Sequence, residues 1–148
     1  MKRFLILFVL AGAGLAHAQN FSADQIRNNE LTGEQAKQVL IIVLKHEKIQ
    51  INKRGMDIDG PFKVDPKIPS QRVFWEFGVI FDSPKYGATQ VIGRYAVSKL
   101  TGDVWDTDRC KQYNFSALRK IQAAIMHKTG KALSDETEAR RGLGCTDD

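Results

Sequence analysis

The acidic residues around Trp105 are the side chains in this sequence whose types and spacing most suggest catalysis. Asp103 and Asp106 flank that aromatic residue, and Asp108 follows two positions later. A pair of carboxylates beside an aromatic side chain can serve a glycosidase. On a strand followed by a turn, acidic residues also act as turn formers and as solubilising groups. The cluster therefore leaves open a hydrolase that uses Asp103 and Asp106, or Glu76.

Other catalytic and metal-binding patterns are absent from the sequence. His46 and His127 do not belong to a His-Glu-x-x-His motif, and Cys110 and Cys145 lack the paired spacing of zinc ligands. Residues 57–60 resemble the start of a calcium loop, but the later ligand positions do not follow. There is no nucleophile elbow, phosphate loop or dinucleotide fingerprint. We therefore predict no metal, no cofactor and a binding protein in preference to an enzyme.

The first 18 residues have the three zones of a cleavable secretory signal. Lys2 and Arg3 are cationic, residues 4–11 are uniformly apolar, and residues 16–18 (Ala-His-Ala) match the pattern that signal peptidase reads. The apolar run is too short to cross a bilayer, which needs about 20 apolar residues. No cysteine follows it closely enough to carry a lipid. These features predict a periplasmic or secreted bacterial protein without a membrane anchor.

Cleavage after residue 18 would leave residues 19–148 as a single domain, which is long enough to bury one core. The formal net charge would fall from +5 to +3, because Lys2 and Arg3 leave and no acidic residue leaves with them. This modest charge gives little support to a nucleic-acid partner. In an oxidising compartment, Cys110 and Cys145 predict one disulfide, since only one pairing exists.

Hydrophobic spacing predicts the elements that must position these residues. Thr32 and Gln35 have the spacing of a capping box, and apolar residues recur at helical intervals from Ala36, which predicts a helix over 33–48. Glycine and proline favour a loop in the segment that follows, with Phe62–Val64 as a short edge strand. Alternation then predicts an antiparallel β-meander, followed by helical spacing. The strands are predicted at 73–81, 88–100 and 103–106, and the later helices at 115–129 and from Ser134 onward.

The order helix, meander, helix predicts an α+β fold, with the helices packed on one face of the small antiparallel sheet. The other face would leave Phe74, Ile80 or Tyr86 in need of partners, as on a protein–protein surface. Loops on a rigid scaffold carry recognition, so the predicted contact elements are Ser83–Gly87 and Thr101–Asp106. The candidate binding residues are Ser83, Lys85, Tyr86, Arg94, Asp103, Trp105 and Asp106.

The segment from Tyr95 to Trp105 resembles the β-hairpin of PepSY and cystatin-like domains, in which a strand runs through a Thr-Gly turn into a short strand containing Val. In size and layout the chain is also similar to periplasmic immunity proteins, which neutralise cell-wall-degrading toxins, including amidases delivered by type VI secretion. This resemblance implies an inhibitor that plugs an enzyme's cleft with a loop. It transfers no functional residue to this sequence.

Three functions stay open at this point. An inhibitor or immunity protein that blocks a cell-wall-acting hydrolase fits the predicted export, the small disulfide-linked fold and the lack of a catalytic pattern. A small secreted cell-wall hydrolase that uses the acidic residues is the second. A module that holds a small apolar ligand between the sheet and the first helix is the third.

Overall fold

The computed structural model describes residues 21–145, and the predicted signal at residues 1–18 lies outside this range. No helix of the described residues is long and apolar enough to cross a membrane. The helices are α1 (Gly33–His46), α2 (Pro69–Val73), α3 (Ser116–Thr129) and α4 (Thr137–Arg141), with 3-10 turns at Ala23–Gln25 and Leu133–Glu136. The strands are β1 (Met56–Asp59), β2 (Phe74–Ser83), β3 (Ala88–Ser98), β4 (Val104–Asp106) and β5 (Lys111–Gln112).

The five strands form one antiparallel sheet in the order β1-β2-β3-β4-β5, which confirms the predicted α+β class with a β-meander. The prediction for the segment after α1 was wrong in detail, because β1 lies where a loop was expected. Only Ile58 of that strand is buried, so its sequence carries little alternation. Phe62–Val64 is not a strand, although Phe62 N–H donates to Glu76 O at 2.9 Å.

Helix α1 packs its apolar face on one side of the sheet. Its capping box is confirmed, since Thr32 Oγ1 accepts from Gln35 N at 3.2 Å and Gln35 Oε1 accepts from Thr32 N at 2.9 Å. This pair satisfies backbone N–H groups that the first turn of a helix leaves free. The side chains that meet in the core are fully or almost fully buried, and each contributes roughly 1.5–3 kcal/mol. They include Val39, Leu40, Val43, Leu44, Phe77, Val79, Tyr95 and Val97.

The opposite face of the sheet is also covered, which corrects the prediction that helices pack on one face only. The C-terminal segment, defined here as residues 133–145, lies over Phe74, which is fully buried with Ala96 and Trp105. Phe74 therefore finds its partners within its own chain. The predicted disulfide between Cys110 and Cys145 is confirmed, with the two Cα atoms 4.9 Å apart, and it fixes the end of this segment.

Candidate functional site

The turn between β2 and β3 presents two of the predicted contact residues to solvent. The N–H groups of Tyr86 and Gly87 both donate to Ser83 O, at 3.2 and 3.0 Å, so the turn is compact. Ser83 itself is buried, whereas Lys85 is exposed and the side chain of Tyr86 is 70% exposed. Lys85 Nζ lies 5.1 Å from the centre of the Tyr86 ring. The turn thus offers a cation and an aromatic ring together on a fixed backbone.

A β-bulge changes the course of β3 below this turn. Val79 pairs with Gly93 but Ile80 pairs with Val91, so Ile92 is an extra residue in β3. Bulges of this kind increase twist and redirect side chains. On the turn side of the bulge, Val91 is 53% exposed and Ile92 is 43% exposed. The outer half of the hairpin therefore carries uncovered apolar side chains, which sequence alternation alone did not reveal.

Arg94 marks the place where pairing between β3 and β4 ends. Its backbone N–H donates to Asp108 Oδ2 at 3.0 Å, and its guanidinium donates to Asp108 Oδ1 at 3.2 Å. Both side chains are exposed, so this ion pair is worth little in stability. Arg94 is accessible to a partner, and its role as a contact residue stays a prediction.

The structure buries Asp103 and Trp105, and this removes them from the candidate contact residues. The Asp103 carboxylate accepts from Trp105 Nε1 and from Gln112 Nε2, both at 2.8 Å. It also lies 3.0 Å from Arg140 Nε, although that contact lacks the angle of a good hydrogen bond. A carboxylate enclosed by three partners serves the fold, and it has no open position for substrate or for another protein.

Asp106 is buried in the same way and organises the turn that follows β4. Its Oδ1 accepts from the N–H groups of Asp108 and Arg109, at 3.1 and 3.0 Å, and its Oδ2 pairs with Arg109 Nη1 at 3.2 Å. The predicted Thr101–Asp106 contact element is thus an internal part of the fold. Sequence spacing did not reveal this, because Glu136 and Arg140, which contact Thr101 and Asp103 of this element, lie far along the chain.

Glu136 is a buried acid at the end of the 3-10 turn Leu133–Glu136, and nothing in the sequence indicated its burial. Its two carboxylate oxygens accept hydrogen bonds from Ser98 Oγ and, at 2.9 Å, from Thr101 Oγ1. Burial raises the pKa of Glu136 to about 7 and outweighs these two hydrogen bonds, which act in the opposite direction. Asp103 raises the pKa further, and Arg140 lowers it. The carboxyl group joins the Thr101–Gly102 turn to the C-terminal segment.

The geometry gives little support to the two alternative functions. Glu76 lines a cleft of about 150 Å³ beside Arg94, without a second carboxylate along that lining. Within residues 21–145, no three His, Cys, Asp or Glu side chains lie close enough together to hold a metal ion. The space between α1 and the sheet is occupied by buried core side chains, as expected for a packed interface and not for a ligand site.

Comparison with known proteins identifies the family. The model of the family described as "T6SS, Immunity protein Tgi2PP" matches residues 30–137, which include α1, the whole sheet and α3. The chain belongs to this family of type VI secretion immunity proteins. No curated protein matches it.

A solved structure supports the same assignment. One chain of a type VI secretion system effector–immunity complex from Pseudomonas protegens is similar to this protein, with 38% sequence identity and a TM-score of 0.77. The similarity covers 86% of this chain and 99% of that one. The comparisons thus support the predicted resemblance to immunity proteins, whereas the PepSY- or cystatin-like resemblance stays a prediction.

Proposed function

We propose that this chain is an exported immunity protein that binds a type VI secretion effector and blocks its activity. The observation that carries the proposal is the family match over residues 30–137. The similarity to a chain of the Pseudomonas protegens effector–immunity complex supports it, since that structure holds an effector together with its immunity protein. The proposed role is binding and not catalysis, because Asp103 and Asp106 are buried in internal contacts and Glu76 lines its cleft without a second carboxylate.

The proposed target is a hydrolase that acts on the cell wall. The predicted signal at residues 1–18 would deliver the immunity protein to the periplasm, which is the compartment that contains the cell wall. An inhibitor in that compartment must survive outside the cytosol, and the Cys110–Cys145 disulfide suits an oxidising environment. A cytoplasmic target would require no export.

The proposed contact region is the outer half of the β2–β3 hairpin. It exposes Tyr86 at the turn, Ile92 in the bulge and Val91 next to it, so it combines an aromatic residue with apolar neighbours. Tyrosine is among the residue types that most often dominate binding energy in protein interfaces, and Tyr86 is 70% exposed.

The test is inhibition of an effector by the purified protein. We would clone the genes that flank the gene for this chain, purify their products and select one that hydrolyses isolated peptidoglycan. We expect the two proteins to co-elute as a complex, and we expect an equimolar amount of this chain to abolish hydrolysis. Failure of the purified proteins to form a complex, together with undiminished hydrolysis, would contradict the proposal.

A further inference from the structure

The end of the molecule that carries the β2–β3 turn is strongly basic. We define the basic surface as residues 45–54, which end α1 and follow it, together with residues 82–89 of the hairpin. Its cations are all exposed, and among the described residues none of them takes part in an ion pair. They are Lys45, Lys48, Lys53, Arg54 and Lys85.

Only two carboxylates belong to the same surface. Glu47 is already paired with Lys111, whose Nζ lies 3.1 Å from Glu47 Oε2. Asp82 accepts a hydrogen bond from the hydroxyl group of Thr89. Lys111 offsets Glu47, and Asp82 offsets at most one of the five cations, so the surface keeps a net positive charge within the described chain.

The basic surface contains two neighbouring clefts, and the consecutive residues Lys53 and Arg54 each line one of them. One cleft, of about 530 Å³, is lined by residues from Lys45 to Lys53, including the apolar side chains of Ile49 and Ile51. The other, of about 420 Å³, is lined by Arg54, Gly55 and residues of the hairpin turn. The two parts of the surface are held together, since Asp82 N–H donates to Gly55 O at 2.7 Å.

The fold accounts for only part of this charge. Lys45 lies in the last turn of α1, where a cation complements the helix dipole, and Lys48 lies just beyond that turn. Lys53, Arg54 and Lys85 lie too far from the helix end for that effect. Lys53 Nζ lies 5.4 Å from the centre of the Phe81 ring, which positions this cation without neutralising it.

We propose that the basic surface docks an acidic face of the effector. The inference rests on the proposed function and adds the chemistry of the partner: a surface rich in Asp and Glu, with an apolar residue to enter the cleft beside Ile49 and Ile51. Opposite charges on the two proteins accelerate their encounter and favour the correct partner. The exposed Tyr86 beside Lys85 provides the short-range contact that holds the complex after encounter.

The experiment compares two triple charge reversals that change the net charge equally. The test variant is K53E/R54E/K85E, within the basic surface. The control is K63E/K67E/K131E, whose residues are exposed, form no ion pair in the described chain and line neither cleft. Circular dichroism and thermal melting would verify that each variant is folded. The probe is the purified peptidoglycan hydrolase obtained from the flanking genes, and the dissociation constant is measured in 50 and 500 mM NaCl.

For the wild-type chain we expect binding to weaken by about tenfold or more between the two salt concentrations, because salt screens attraction between exposed charges. At low salt the test variant should bind at least ~30-fold more weakly than the wild type, and the control should stay within about threefold. The salt dependence of the test variant should also be much smaller.

The outcomes separate this inference from the proposed function. If the wild-type chain does not bind the effector, the proposed function itself fails. If the wild-type chain binds and the test variant binds as tightly as the control variant, the docking inference is wrong while the proposed function stands. Co-sedimentation of the wild-type chain with isolated peptidoglycan in the absence of effector, lost in the test variant, would assign the basic surface to an anionic polymer and would also overturn the inference.

Discussion

Thr101 Oγ1 donates a hydrogen bond to Glu136 Oε2 at 2.9 Å, and the two residues are 35 positions apart in the sequence. The Ser98 hydroxyl donates to the other oxygen of the same carboxylate, and the N–H groups of Leu100 and Thr101 both donate to Ser98 Oγ at 3.0 Å. The turn between β3 and β4 is therefore joined to the C-terminal segment through one buried acid. Because burial raises the pKa of Glu136 to about 7, the charge of this acid changes near neutral pH.

The substitution E136Q should change how stability depends on pH. Between the ordinary pKa of 4.5 and the raised value of about 7, the folded protein binds the proton more tightly than the unfolded chain, so the wild-type free energy of unfolding falls as pH rises. This loss in the free energy of unfolding is absent below pH 4.5 and complete above pH 7. Glutamine does not ionise, so between pH 4.5 and 8 the wild type should lose roughly 2–4 kcal/mol relative to E136Q.

Urea unfolding of both proteins at several pH values would measure this difference. The matched control is E138Q, because Glu138 is exposed two positions away in the same segment. The plot of its free energy of unfolding against pH should run parallel to that of the wild type. If the E136Q curve also runs parallel to the wild type, Glu136 does not titrate in this range in the folded protein.

The disulfide should contribute substantially to stability. Cys110 and Cys145 are separated by 35 positions, and closing a loop of that size is worth about 2–4 kcal/mol. We expect the double variant C110S/C145S to lose this amount in urea unfolding. The wild type treated with a reductant should lose a similar amount, and the reductant should not affect the variant. Equal stability of oxidised and reduced wild-type protein would contradict the prediction.

Replacing Asp103 should damage the fold and not a reaction. In D103A, Trp105 Nε1 and Gln112 Nε2 lose their acceptor and Arg140 loses its counter-charge inside the protein. We expect a loss of about 2–4 kcal/mol in the free energy of unfolding. The control D108A removes an exposed partner of Arg94 and should cost less than about 1 kcal/mol. A stable D103A protein that has lost a peptidoglycan-hydrolysing activity of the wild type would instead favour the hydrolase hypothesis.

Tyr86 should matter for binding and not for stability. Its side chain is 70% exposed, so Y86A should alter the free energy of unfolding by less than about 0.5 kcal/mol. If the hairpin turn contacts the effector, affinity should fall at least ~30-fold, as for a central aromatic residue of an interface. The control I68A removes another exposed apolar side chain, outside the hairpin. Equal affinities of Y86A and wild type, measured by titration calorimetry, would exclude Tyr86 from the interface.

Local sequence signals predicted the parts of the fold that depend on neighbouring residues. The capping box of Thr32 and Gln35 and the helical spacing after it predicted α1, and alternation predicted β2 and β3 closely. The short strand β1 was missed because Ile58 is its only buried residue. Coverage of Phe74 was missed for a different reason, since it depends on a segment more than 50 residues later in the chain.

The candidate site residues show the same difference between local and long-range information. Lys85 and Tyr86 were predicted from turn-forming residues, and the structure exposes both. Asp103 also follows a turn signal, yet it is buried, because Gln112 and Arg140 of the C-terminal segment contact its carboxylate. Asp106 is buried as well, and it accepts hydrogen bonds from the turn that follows it. Local sequence indicates where a turn lies. It does not indicate whether a distant part of the chain covers that turn.

Each strand of the sheet pairs with the next strand along the chain, and this has a consequence for the rate of folding. Contacts between neighbouring strands close short loops, which cost little chain entropy, and proteins rich in such contacts fold rapidly. The hydrogen bonds of Glu136 instead span 35 and 38 positions. We therefore expect the meander to form first and the C-terminal segment to dock later. The β2–β3 hairpin would then reach its binding conformation early, before the protein has gained its full stability.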